Sequence, residues 1–207
     1  MIPKIIAQGG WVMAPIILGS VIALTLVLER LWYFLSIRSD LKRFSEEVLS
    51  MLRAGQIQEA FESCQKTRHP LARVFEAGLE HADEEGAEME RVMEREGSRQ
   101  VAHAEKNLNY LVVVVGIEPL LGFLGTILGL IQAFMAWEKH STSVTVSTLA
   151  AGIYQAMITT AAGLLVAIPY FILYHIFLNK ANNMAREINH YGDELLSVVR
   201  KLKKETV

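Results

Sequence analysis

Three stretches of this chain are almost free of charge, and each is longer than a typical soluble helix. From Ile5 to Leu28 there is no charge. From Leu108 to Trp137 the only one is Glu118, and from Ser141 to Asn179 there is again none. A helix needs roughly 20 apolar residues to cross a bilayer, and a buried core helix would be shorter and striped with polar positions. The pattern predicts an all-α integral membrane protein with three spans. Composition agrees, with 52% hydrophobic residues and a mean hydropathy of +0.29.

The net charge of −2 decides little, but the placement of the charges decides the topology. If the segment between the first two spans lies inside together with the C-terminal tail, 18 of the 20 Lys and Arg are inside or at that boundary and only Lys4 and Lys139 are outside. Such an asymmetry predicts an outside N-terminus and an inside C-terminus. The expected layout is a short outer N-terminus (1–10), a first span (11–35), an inner helical region (36–106), a second span (107–137), an outer connection (138–146), a third span (147–178) and an inner C-terminal helix (179–207). Glu29-Arg30 followed by Leu31-Trp32-Tyr33 reads as an interfacial anchor and not as a cleavage site, so the first span is expected to be retained.

Within the inner region, Ala54-Gly55, the residues before Pro70, and Asp83-Glu84-Glu85-Gly86 read as breaks between helices. From Ala87 to Trp137 there is no stop signal except Pro119, which predicts one long helix kinked near that proline. Cys64 is the only cysteine, so no intramolecular disulfide is possible, and it is expected to pack.

Enzyme motifs are missing. GFLGTILG is glycine-rich but matches neither the dinucleotide pattern nor a P-loop. The histidines are scattered without metal-ligand spacing. No enzyme activity, cofactor or nucleic-acid partner is expected; the lipid bilayer is.

What stands out is small and polar residues inside the spans. Gly122, Gly125 and Gly129 fall at i, i+3, i+7 on the second span, and Pro119 precedes them. Gly152, Ala156, Thr160, Gly163 and Ala167 form a second stripe on the third span, with Pro169 after it. Such stripes let helix backbones approach closely in lipid, and plain packing accounts for them. Thr126, Thr159, Thr160 and Gln155 add polarity, although a threonine in a membrane helix can be satisfied by its own i−4 carbonyl. Depth sharpens the case. At 1.5 Å per residue from the outer connection, Thr126 lies about 16 Å down and Thr160 about 21 Å down, so two hydroxyls share one layer near mid-membrane. Glu118 lies about 29 Å down and Gln155 about 14 Å down. An intramembrane carboxylate faces protein or water, or else reaches back to the interface. Hydroxyls and an amide relay protons but do not titrate. If protons move here, the titrating group at the centre comes from another chain.

PLLGFLGTILGLIQAF and LAAGIYQAMITTAAGLLVAIPYFILYHIF resemble the two pore helices of the MotA/TolQ/ExbB proton-channel family. GGWVMAPIILGSVIALTLVLERLW and GQIQEAFESC resemble its ExbB branch, as does HPLARVFEAGL. Three spans favour ExbB or TolQ over the four-span flagellar stators. The resemblance implies a bacterial inner-membrane subunit in a ring of five copies around a pair of single-span ExbD-like partners that supply the aspartate. It also implies coupling to a TonB-like transducer. It puts Thr126 and Thr160 on the family's pore threonines. Two positions depart: Gln155 stands where many ExbB and TolQ sequences have glutamate, and Glu118 where many have alanine. A TolQ-like subunit, a sodium-driven relative and a non-conducting scaffold remain open alternatives.

Overall fold

The computed structural model describes residues 8–37, 41–84, 86–139 and 146–206. Most of the N-terminal segment 1–10 and of the connection 138–146 therefore falls outside the described residues, as do Lys4, Arg38 and Glu85. The elements are α1 (Met13–Ser36), α2 (Leu41–Arg53), α3 (Ile57–Lys66), α4 (Pro70–Glu80), α5 (Gly86–Glu105), α6 (Leu108–Lys139) and α7 (Val146–Thr206). Among the described residues there is no strand. Three helical stretches, Met13–Ser36, Gly86–Glu138 and Ala150–Lys203, are long and apolar enough to cross a membrane. Contacts divide the chain into two compact units: 1–30 with 107–176, and 31–106 with 177–207.

The first unit is packed inside-out relative to a soluble domain. Its large side chains point outward: Met157 is 66% exposed and Leu165 77%. Many of its buried positions are small, among them Ala23, Ala133, Ala156 and Ala167, with Gly122, Gly125, Gly129 and Gly163 beside them. That arrangement is stable where the surroundings are as apolar as the side chains, and van der Waals contact between backbones replaces the hydrophobic drive. Val12, Met13 and Ile16 close the start of α1 onto Leu121, Leu128, Ile158, Ala162 and Val166. Pro119 and Pro169 both lie inside their helices. Pro169, expected at a packing contact, is exposed. Gly163 and Ala167 are one turn apart and face inward, so a residue two further on turns about 200° away.

In the second unit ordinary amphipathic helices assemble. α2 buries Ser45, Val48, Leu49 and Leu52 at helical spacing. Gly55, at φ 79, turns the chain into α3. Pro70 opens α4 and His69 caps it, Nδ1 accepting the Leu71 N–H at 3.0 Å. A Cβ on Gly78 would collide with Met93 and approach Leu195, so α4, α5 and the end of α7 meet there with no room to spare. Phe34 stacks on Phe177 at 5.7 Å, and Arg200 pairs with Glu90 at 2.6 Å. Cys64 is fully buried; burial, reinforced by the Glu76 carboxylate, pushes its thiol up to about 12, which suits a packing residue.

The unbroken helix expected from Ala87 to Trp137 is divided. α5 ends at Glu105 and α6 starts at Leu108, with Asn107 between them at φ 67. Asparagine tolerates the left-handed region better than other side-chain-bearing residues. Asn107 Nδ2 also donates to Glu29 Oε2 at 3.4 Å. Glu29 in turn pairs with Arg30, which is only 1% exposed. The Glu29-Arg30 doublet expected as an interfacial anchor thus has its arginine buried in protein.

Candidate functional site

The site is built where α6 and α7 touch. A Cβ on Gly122 would lie 2.9 Å from Thr159 O and 3.1 Å from Thr160 Cα, both backbone atoms that cannot yield without moving the helix. A Cβ on Gly129 would lie 2.9 Å from Gly152 O, and one on Gly163 would lie 2.6 Å from Glu118 O. The two small stripes therefore face each other, and the absent side chains set the distance between the backbones.

That proximity brings two hydroxyls together. Thr126 Oγ1 hydrogen-bonds Thr160 Oγ1 in a close contact, and lies 3.1 Å from Ala156 O and 3.3 Å from Gly122 O. Thr160 Oγ1 lies 3.1 Å from Gly122 O. Each hydroxyl has one hydrogen to donate, and two oxygens this close need a hydrogen between them. Two arrangements satisfy both. In one, Thr126 donates to Thr160 and Thr160 to Gly122 O. In the other, Thr160 donates to Thr126 and Thr126 to Ala156 O. The two differ only in direction, so rotating both hydroxyls reverses the chain without breaking the helix contact. The depth count put these residues within one turn of each other; the side chains are in contact, half-buried at the helix seam.

The other residues expected on the path do not join this hydroxyl pair. Thr159 is fully buried against Gly125 and donates to its own helix, to Ala156 O at 2.9 Å. It is the locally satisfied threonine allowed for above, and in this protomer it offers no surface to a conduit. Gln155 turns its amide onto Gly10, which sits at φ 70 just before α1. Glu118 is only 1% exposed, and its carboxyl lies against Gly19 of α1, where a Cβ would collide with Oε1. Its Oε2 is buried with no hydrogen-bond partner among the described residues. At the next residue of α1, Ser20 O accepts from Tyr170 OH of α7 at 3.4 Å. The carboxyl therefore lies at the α1–α6 contact. Gly19 and Gly10 were not singled out in the sequence. Gly19 is a lone glycine in an apolar run and Gly10 is the second of the Gly9-Gly10 pair, and nothing local marks either as the seat of a distant polar group.

These features define a helical membrane protein whose spans pack closely around buried polar groups. The chain belongs to the MotA/TolQ/ExbB proton channel family, whose model matches residues 66–190. Within it the chain is close to ExbB. It is 30% identical over 173 residues to a Synechocystis protein named ExbB-like 3, covering 82% of this chain and 81% of the relative. It is 27% identical over 199 residues to the biopolymer transport protein ExbB of Salmonella typhimurium, covering 92% and 78%. To the Tol-Pal system protein TolQ of Pseudomonas aeruginosa it is 24% identical over 201 residues, covering 92% and 87%. The chain is thus a subunit of proton-channel type, a family that is not a known enzyme class.

Proposed function

We propose that this chain is the ExbB-like subunit of a bacterial inner-membrane proton channel that couples the proton-motive force to a TonB-type transducer. The observation that carries the reading is the reversible hydroxyl pair Thr126–Thr160 at the seam of two membrane helices. Several copies, five by family resemblance, enclose a pair of single-span ExbD-like partners. The partner's aspartate supplies the titrating group that the hydroxyl layer lacks. The N-terminus lies in the periplasm and the C-terminus in the cytoplasm, which accords with the concentration of Lys and Arg in the inner segments.

In this mechanism the partner aspartate takes a proton from the outer side, and the hydroxyl pair relays it by paired rotation. Gln155 lies on the outer approach. Glu118 stands nearer the inner end, where its carboxyl can hold a proton between the relay and the cytoplasm. Thr159 holds the seam closed and does not conduct.

Co-expression with a single-span, aspartate-bearing partner and measurement of proton flux into vesicles tests the proposal. Flux that requires the partner, and is unchanged when sodium replaces potassium, supports it. Flux that follows sodium supports a sodium-driven relative, for which the oxygens of Thr126, Thr160, Gly122 and Ala156 would be ligands. No flux with any partner leaves a scaffold. The TolQ-like alternative rests on the TolQ relatives; it predicts rescue of an envelope-integrity defect instead of TonB-dependent uptake.

A further inference from the structure

Three doublets of a carboxylate followed by a cation, Glu90-Arg91, Glu94-Arg95 and Glu105-Lys106, run along α5 to the residue just past its end. One residue along a helix is a turn of about 100°. The carboxylates of these doublets therefore form one stripe and the cations the stripe beside it, which also carries Arg99 and, among the cations, Glu88. The acidic stripe lines a groove of about 690 Å³ between α5 and the end of α7, where Glu90, Glu94 and Glu105 are joined by Asp193 and no cation is among the lining residues. Glu90 is paired with Arg200, whereas Glu94, Glu105 and Asp193 have no ion pair among the described residues. Along the basic stripe, Arg91 and Arg99 bond only to their neighbours Glu88 and Glu96, and Arg95 has no ion pair among the described residues. Arg99 and Lys106 line a second hollow of about 460 Å³ with His103.

We propose that the acidic α5–α7 groove is the docking surface for the basic α5 stripe of a second copy of this chain. Both surfaces lie in one compact unit. Each leaves charge unanswered, and each offers what the other needs. They occupy different faces, so the contact is heterologous: a copy that docks its stripe into a neighbour's groove still presents its own groove to the next. Such a contact propagates in one rotational sense and closes into a ring where the rotation per copy divides a full turn. Like charges brought together by the wrong register are repelled, so the pattern fixes which face meets which more than it adds affinity. The inference rests on the self-association in the proposed function, but the two fail separately. Copies held together by their membrane helices alone would still conduct, with no contact at this groove.

Disulfide trapping in membranes tests it. Two tagged full-length chains, both carrying Cys64→Ser, are co-expressed, one with Asn189→Cys in the groove and the other with Arg95→Cys on the stripe. The proposal expects a cross-link between the two tags. It expects that link to fall roughly tenfold or more when Arg91→Glu and Arg99→Glu are added to the second chain. Adding Glu94→Arg and Asp193→Arg to the first chain restores it, which also shows that both reversed chains fold. No link in the parent pair, a link indifferent to the first reversal, or failure of the second reversal to restore it overturns the proposal.

Discussion

Thr126 lies on α6 and Thr160 on α7, yet their hydroxyls touch, and each oxygen lies 3.1 Å from a main-chain carbonyl oxygen of the opposite helix. Two hydroxyls in hydrocarbon need partners, and here they find each other along with the carbonyls of Ala156 and Gly122. The glycines make this possible by letting the backbones approach until short side chains reach across.

The glycine stripe therefore has a measurable cost structure. Gly122→Ala and Gly129→Ala place a methyl within 3 Å of backbone oxygen on α7. Each should lower the stability of the detergent-solubilised protein by about 1–3 kcal/mol. Gly116→Ala meets nothing within 4 Å and should be neutral within about 1 kcal/mol. Thermal unfolding of the three variants checks this; equal losses at all three positions would mean that the stripe does not set the helix spacing.

Glu118 is expected to trade stability for function. Its Oε2 is buried without a partner at the α1–α6 contact, and such a group costs about 1–3 kcal/mol. Glu118→Met should raise the melting temperature while lowering proton flux. Glu118→Gln should lower flux with less change in stability. Flux unaltered by both variants across pH would reduce Glu118 to a packing residue.

Outside the membrane helices, His69 makes folding pH-dependent. Burial pushes its imidazole from 6.5 down to about 4, and only the neutral ring can accept the Leu71 N–H at 3.0 Å. Between those values the unfolded chain binds a proton that the folded chain refuses. The contribution of His69 is therefore full above pH 6.5, declines as pH falls and levels off below about 4. Asparagine caps a helix without titrating. His69→Asn should lose less stability than the parent between about pH 7 and about pH 5. Identical losses in the two proteins would show that the cap is not the titrating element.

Much of this was legible from the residues, for definable reasons. A bilayer imposes a fixed thickness and a helix a fixed rise, so counting from a span's end gives depth, and depth paired Thr126 with Thr160. Facing small stripes follow from the same periodicity. What depth does not give is rotation about the helix axis. Glu118 lies on the seat made by Gly19, and Gln155 on Gly10, because of how α1 lies against the other two helices. No local signal encodes that. The break at Asn107 was missed because it uses neither glycine nor proline; the anchoring Glu29 lies 78 positions away. Pro169 is exposed in the single protomer because its small neighbours, not the proline itself, occupy the inward face.

The central claim is that the Thr126–Thr160 hydroxyl pair relays protons. Proton flux in vesicles containing the full chain and its single-span partner tests it directly, comparing Thr160→Ser with Thr160→Val at equal assembled protein. The account predicts that serine keeps flux near the parent level. Valine should cut it roughly tenfold or more, about the effect of removing one hydrogen bond of some 1.4 kcal/mol from the relay. Parent-level flux through the valine variant would contradict it.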